Sequence, residues 1–308
     1  MNPPRLRVSV PDVRLRNALG DVDDGVEFLE WGMSGPSPVK DIDVVVPPYL
    51  STTTSLVELA NVTTRLVQSQ SVGYDGVAEV LPPGHVYANA TSVHETSTAE
   101  LTLALILASQ RGIPDFVRDA SEGRWRPTWH QSLADRHVLL VGYGGVGKAI
   151  EARLLPFEVS LTRVARSGRT DEHGEIHGVE SLSALLPLAD VVVAAVPLTQ
   201  DTTNLVDDAF LRRMRDGTLL VNIARGKVAD TTALLEHARA GRLRLALDVT
   251  DPEPLPKDHP LFSLTNVLIS PHVGGMSTSM LPRMARLLNQ QIDRMLRGEE
   301  PLNVVLRT

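Results

Sequence analysis

Four short stretches of this chain carry residue types that do chemistry: GYGGVG at Gly142–Gly147, ARG at Ala224–Gly226, PEP at Pro252–Pro254 and PHVGG at Pro271–Gly275. The first fits G-x-G-x-x-G through Gly142, Gly144 and Gly147, directly after an apolar run and before a helical pattern. In that setting the first glycine permits a tight turn and the second lets the main chain approach a pyrophosphate. The third lets helix and strand pack closely, and the helix N-terminus offers its unpaired N–H groups to the phosphates. The other three stretches supply a guanidinium (Arg225), a carboxylate (Glu253) and an imidazole (His272). Reduction of a carbonyl beside a carboxylate needs those three groups. Hydride arriving on the keto carbon leaves an alkoxide, which an imidazolium can protonate near neutral pH. A carboxylate orients such an imidazole and favours its charged form. A guanidinium holds the substrate carboxylate through two parallel hydrogen bonds while polarising the carbonyl.

The elements that must position these groups are legible as apolar runs. From Val138 onward HVLLVGYG, VSLTRVAR, DVVVAAVP, TLLVNIAR, LRLALDVT and VLISPHV alternate with helical patterns near Lys148–Leu155, Ser181–Leu186, Asp207–Met214 and Thr231–Ala240. Six such strands predict a Rossmann-type, doubly wound parallel sheet. Runs such as VVVAAV lack alternation, as strands covered on both faces do. Ligands of open α/β sheets sit outside the carboxyl ends of the strands. Arg225 follows the fourth strand, the fifth leads through Asp248 to Glu253, and the sixth ends at His272, so three strands aim complementary groups at one edge.

The first hundred residues show strand candidates at Leu6–Val10, Glu27–Trp31, Asp43–Val46, Arg65–Ser69 and Val86–Ala88, which predict a smaller flavodoxin-like α/β domain. Helices are expected over Thr96–Ser109 and Leu281–Arg297. The division expected is therefore a substrate domain over 1–99, completed by 283–308, and a dinucleotide-binding domain over 100–282. Gly112–Arg136, with Trp125, Pro127 and Trp129 among polar residues, reads as an extended arm, packed on its own domain or on a partner subunit. Tyr49, in VVVPPYL, is a candidate to line a pocket or to pack in a turn.

An NAD enzyme places an acidic residue at the end of the second strand, where it binds the adenosine ribose. Here the strand ends VARSGR, with Ala165 at that place and Arg166, Ser167 and Arg169 after it. Guanidinium groups without a carboxylate suit a 2′-phosphate, so NADP is favoured over NAD.

The 308 residues are enough for two domains of ordinary size, or one large domain, with sizeable cores. Zero cysteines exclude disulfides, thiolate metal sites and a cysteine nucleophile. No metal ligation is expected. The formal charge of −7 and the scattered basic residues give no nucleic-acid footprint. MNPPRLRVSV lacks the apolar core of a signal peptide, and no apolar run is long enough to span a bilayer, so a cytoplasmic protein without membrane contact is expected.

At these residues the chain resembles the D-isomer-specific 2-hydroxyacid dehydrogenases, a family that includes glyoxylate/hydroxypyruvate reductases, phosphoglycerate dehydrogenase, formate dehydrogenase and phosphite dehydrogenase. The likeness runs through STAE at Ser97–Glu100, PLTQDT at Pro197–Thr202, NIARG at Asn222–Gly226, LDVTDPEPLP at Leu247–Pro256 and SPHVGG at Ser270–Gly275. It implies that Arg225, Glu253 and His272 are the catalytic residues and that Asp248 meets the nicotinamide carboxamide. It further implies cofactor contacts at Thr98, Gly145, Val146, Pro197 and Ile223, and a cradle for the substrate carboxylate on the amides of Val72 and Gly73. A homodimer formed through the nucleotide-binding domains, with a cleft that closes on substrate, is also implied.

Departures from the family narrow the substrate. Formate dehydrogenases carry glutamine where Glu253 stands, phosphite dehydrogenases carry lysine where Val72 stands, and Ser71–Asp75 offers no basic residue for a phosphate. Small unphosphorylated 2-keto acids such as glyoxylate or hydroxypyruvate are the expected substrates, reduced to the D-2-hydroxy acid. The alternatives are an NAD-dependent dehydrogenase of another 2-hydroxy acid and a dinucleotide-sensing protein resembling the corepressors of this fold.

Overall fold

The computed structural model describes residues 6–50 and 52–308, so the opening Met1–Arg5 lies outside the described residues. The chain forms two compact units. One comprises the residues up to His94 together with Ser277–Thr308, the other Glu95–Met276.

The first unit is built on β1 (Leu6–Val10), β2 (Val26–Glu30), β3 (Val44–Val45), β4 (Leu66–Gln68) and β5 (Val86–Ala88). These pair in parallel in the order β2-β1-β3-β4-β5, the flavodoxin-like order. Alternate residues of β1 are buried on opposite faces. Leu6, Val8 and Val10 pack beneath the helix Met280–Leu296, which buries Met284, Leu287, Leu288, Ile292 and Met295 against them. Asp12 caps the short helix Val13–Ala18 by accepting the Leu15 N–H at 3.0 Å.

The second unit carries β6 (His137–Val141), β7 (Ser160–Ala165), β8 (Arg169–Asp171), β9 (Gly174–Gly178), β10 (Val191–Ala194), β11 (Leu219–Asn222), β12 (Arg244–Leu247) and β13 (Val267–Ile269). The sheet order is β13-β12-β11-β10-β6-β7-β9-β8, all parallel except β8. Strand order reverses between β6 and β10, which makes the ends of these two strands the switch point where ligands bind in such sheets. Leu139, Val141, Val192, Leu220 and Leu245 enter one core, while Val138, Leu140, Val191, Val193, Leu219 and Val221 enter another on the opposite face. Two buried faces explain why these strands read as unbroken apolar runs. Asp230 caps the helix Thr231–Arg239 by accepting from the N–H groups of Thr232 and Ala233, an arrangement worth about 1 kcal/mol.

The chain closes on β14 (Val304–Arg307), which returns to the first unit and pairs antiparallel with β5. No described helix is long and apolar enough to cross a membrane.

Three features depart from the sequence reading. The polar segment RTDEHGEIHG forms the hairpin β8–β9, and β9 takes the third-strand place of the doubly wound order. Arg169 therefore opens a strand instead of ending a loop. Within Gly112–Arg136, expected to be extended, Ile113–Ser121 is a helix with Pro114 in its first turn, where a missing N–H costs nothing. The units divide before Glu95 and after Met276, a few residues earlier than drawn from sequence. The helices Glu95–Arg111 and Met280–Leu296 consequently each stay whole within one unit.

Candidate active site

The glycine stretch joins β6 to the helix Gly145–Leu154 at the switch point. Gly142 has φ +108°, and a Cβ there would lie 2.4 Å from the Ala195 carbonyl oxygen. A Cβ on Gly147 would lie 2.3 Å from the Gly142 carbonyl oxygen. These two glycines are required by the protein's own packing. Around Gly144, by contrast, a Cβ would meet nothing within 4 Å, and this residue caps the helix without a side-chain hydrogen bond. A required turn, open space at the second glycine and an uncapped helix N-terminus fit the pyrophosphate of a dinucleotide. Val146 sits in the first turn of the same helix, and a Cβ on Gly145 would touch the Glu95 side chain.

Tyr143, between the first two glycines, points inward. Its hydroxyl donates to Glu151, which also accepts from Arg163 Nε at 2.6 Å. Burial, followed by the Glu151 carboxylate, pushes the Tyr143 phenol up to about 12. This buried cluster ties the glycine loop to the helix and to β7.

Beyond β7, Arg166 and Ser167 are exposed, and Arg166 makes no hydrogen bond or ion pair among the described residues. Among the described residues the Arg169 guanidinium makes only long contacts of 3.5 Å, to the carbonyl oxygens of Ser167 and Tyr143. Pro197 follows β10, and its carbonyl accepts the Thr202 hydroxyl at 2.6 Å. Ile223 is buried just after β11.

Glu253 and His272 come together. His272 Nδ1 lies 2.5 Å from Glu253 Oε1, and both side chains remain accessible, at 45% and 41%. His272 has φ +53°, a left-handed conformation that a non-glycine residue keeps only when its surroundings impose it. Its main-chain N–H donates to the Asp248 carbonyl at 2.7 Å. Arg225 is half-buried, with a guanidinium N–H 2.7 Å from the Ala224 carbonyl. The next residue, Gly226, abuts the Thr250 carbonyl, so the Arg225 turn packs directly on the segment leading to Glu253. Asp248 is buried, and a Cβ on Gly274 would sit 3.1 Å from it and 3.3 Å from Thr98. No cluster of His, Cys, Asp or Glu among the described residues could hold a metal ion.

Val72 and Gly73 lie in the first unit, on the loop after β4. Asn89 Nδ2 holds the Val72 carbonyl at 2.8 Å, and Ser69 Oγ accepts the Ser71 N–H at 3.0 Å. The N–H groups of Val72 and Gly73 donate to nothing among the described residues. Tyr49 stacks on His94 with ring centroids 5.5 Å apart, and His94 Nε2 lies 2.6 Å from the Gln70 carbonyl.

Sequence reasoning missed the residues that hold these turns: Tyr143, Glu151 and Arg163 under the glycine loop, and Asn222 and Ser270 at strand ends. The available signal was a polar residue closing an otherwise apolar strand run, as in LLVN and VLIS.

The family profile for the D-isomer specific 2-hydroxyacid dehydrogenase, NAD binding domain, matches residues 103–274. A glyoxylate reductase of Korarchaeum cryptofilum is 34% identical over 305 residues, covering 93% of this chain and 92% of that one. The glyoxylate reductase/hydroxypyruvate reductase of Mus musculus is 32% identical over 302 residues, 92% of each chain. Among solved structures, a D-isomer specific 2-hydroxyacid dehydrogenase from Xanthobacter autotrophicus Py2, in complex with NADPH and MES, superposes with a TM-score of 0.78. It is 27% identical and the match covers 98% of both chains. Fold, motif order and these likenesses agree: the chain belongs to the D-isomer-specific 2-hydroxyacid dehydrogenase family and is an NAD(P)-dependent oxidoreductase.

Proposed function

We propose that this protein reduces a small unphosphorylated 2-keto acid of the glyoxylate or hydroxypyruvate kind to the D-2-hydroxy acid, with NADPH as reductant. The hydrogen bond between His272 Nδ1 and Glu253 Oε1 carries this reading. It leaves Nε2 of the same ring to deliver a proton, and it fixes the ring in one orientation. The bound nicotinamide supplies the hydride. Arg225 grips the substrate carboxylate and polarises the carbonyl, His272 protonates the oxygen that becomes the hydroxyl, and Glu253 holds the imidazolium in place. The free amides of Val72 and Gly73 are assigned to the substrate carboxylate.

For the dinucleotide, Gly142, Gly144, Gly145, Val146 and Gly147 form the pyrophosphate turn, with Thr98, Pro197, Ile223 and Asp248 as further contacts. Arg166, Ser167 and Arg169 take the 2′-phosphate. The exposed Arg166 guanidinium, without a hydrogen bond or ion pair among the described residues, supports NADPH, as does the NADPH carried by the Xanthobacter relative. The names of the curated relatives support glyoxylate or hydroxypyruvate as substrate. Two tryptophans of the arm, Trp125 at 95% and Trp129 at 99% exposure, support a homodimer in which the partner covers them.

The deciding experiment is a panel of 2-keto acids assayed with NADPH and NADH on wild type and His272→Ala. Turnover of glyoxylate or hydroxypyruvate with NADPH, lost in the variant while NADPH still binds, is expected. Binding of NADPH without turnover of any keto acid would overturn the enzymatic reading in favour of a sensor. A strong NADH preference would overturn the role given to Arg166.

A further inference from the structure

Two buried polar side chains link the turn of Arg225 to the loop of His272. Asn222, the last residue of β11, accepts the Ala224 N–H on Oδ1 at 3.1 Å and donates from Nδ2 to the Arg225 carbonyl at 3.1 Å. One carboxamide thus closes the turn that presents Arg225. Asp248, just beyond β12, accepts the Ser270 hydroxyl at 2.6 Å and the Val273 N–H at 2.9 Å on Oδ1. Its Oδ2 accepts the Gly274 N–H at 2.9 Å. The two residues are joined by their main chains, Asp248 N–H donating to the Asn222 carbonyl at 2.9 Å, while the Asp248 carbonyl accepts the His272 N–H at 2.7 Å. An unbroken hydrogen-bonded path therefore runs from the Arg225 carbonyl through Asn222 and Asp248 to the main chain of His272.

The residue types match what each faces. Asn222 meets one donor and one acceptor, which a carboxamide satisfies and a carboxylate does not. Asp248 meets three donors, which suits a carboxylate, whereas an asparagine would turn an NH₂ against an N–H. A carboxylate has about four acceptor sites, so three filled ones leave room for about one contact to a nicotinamide carboxamide. Holding the His272 loop is accordingly the larger part of what this side chain does.

We propose that the buried Asn222 and Asp248, with the partly buried Ser270, form a strut that sets Arg225 and His272 at a fixed separation, making them positioning residues for the reduction. The proposal rests on the roles given above to Arg225 and His272. It accounts for the left-handed backbone at His272: the bonds to Ser270, Val273 and Gly274 fasten the loop on both sides of that residue.

The test compares Asn222→Asp, Asp248→Asn, Ser270→Ala and Ser270→Thr for kcat, glyoxylate KM, NADPH Kd by fluorescence and melting temperature. Asn222→Asp is expected to raise glyoxylate KM about tenfold, with a smaller change in kcat. Asp248→Asn is expected to lower kcat about 100-fold, with kcat/KM falling by more than NADPH Kd rises. Ser270→Ala should lower kcat about fivefold, and Ser270→Thr, which keeps the hydroxyl, should restore it to within about twofold. Equal kcat for the two Ser270 variants overturns the strut. So does a loss of NADPH affinity in Asp248→Asn that accounts for its whole loss of kcat/KM. If Asp248→Asn fails to fold, the Ser270 pair decides. Wild-type turnover in Arg225→Ala and His272→Ala would instead refute the catalytic roles; loss there with intact strut variants refutes the strut alone.

Discussion

Replacing Gly226 by alanine adds one methyl group at the point where the Arg225 turn meets the segment leading to Glu253. The new Cβ would stand 1.9 Å from the Thr250 carbonyl oxygen, 2.2 Å from its carbon and 2.8 Å from the Asp251 nitrogen. Real Cβ atoms essentially never come closer than 3.0 Å, so the minimum displacement is 3.0 − 1.9 = 1.1 Å. All three neighbours are backbone, so no side chain can swing aside. Either the turn carrying Arg225 or the segment carrying Glu253 must move. A misplacement of about 1 Å costs on the order of 100-fold in rate. That corresponds to about 2.7 kcal/mol of transition-state stabilisation. Overpacking adds a stability loss of about 1–3 kcal/mol. Steady-state kinetics with glyoxylate and NADPH, alongside NADPH binding and thermal melting, check this: kcat/KM should fall about 100-fold while NADPH affinity holds. On an Arg225→Ala background the same substitution should cost much less, because both changes disable one group. A folded Gly226→Ala enzyme with wild-type kcat/KM would refute the packing argument and the role given to Arg225.

Gly144→Ala should behave oppositely: with nothing within 4 Å of the added carbon the melting temperature should be unchanged, while NADPH Kd rises because the methyl occupies the approach to the pyrophosphate. Unaltered NADPH binding would count against that approach. Arg166→Ser should raise NADPH Kd about tenfold or more and leave NADH almost unaffected, equal effects on both refuting a 2′-phosphate contact. In an alkaline spectrophotometric titration, the component lost in Tyr143→Phe should titrate near 12 instead of 10.0. Because the folded value is raised, the stabilisation is present below the unfolded value and is lost as pH rises through the folded one, so the variant should narrow its stability deficit there. Trp125→Ala should shift sedimentation from dimer toward monomer, and an unchanged dimer would exclude the arm as the interface.

What could be read along the chain was local. The six apolar runs of the second unit were legible because each strand is covered on both faces, and the five of the first unit because β1, β3, β4 and β5 bury most of their side chains while β2 packs Val26, Phe28 and Leu29 partly buried against the cores. The hairpin β8–β9 was not, since its residues are polar and its pairing partner, β7, is a strand contributed from outside the hairpin. Gly112 opens the stretch expected to be an extended arm, yet it precedes a helix, with Pro114 in the first turn. The closing strand β14 gains its register only from β5, more than two hundred residues earlier.

By itself the sequence determined the residue types and their order: a glycine turn after a strand, then an arginine, a glutamate and a histidine at the ends of later strands. Those follow from periodicity and spacing, which act over a few residues. Only the tertiary structure decided which glycines are sterically required, that Glu253 meets His272, that His272 takes a left-handed backbone, that Asn222 faces one donor and one acceptor and that Asp248 faces three donors. The reason is physical: apart from the local Asn222 turn and the Gly142–Gly147 approach, these are contacts between segments that follow different strands, set by how parallel strands align their ends, and no local propensity encodes them.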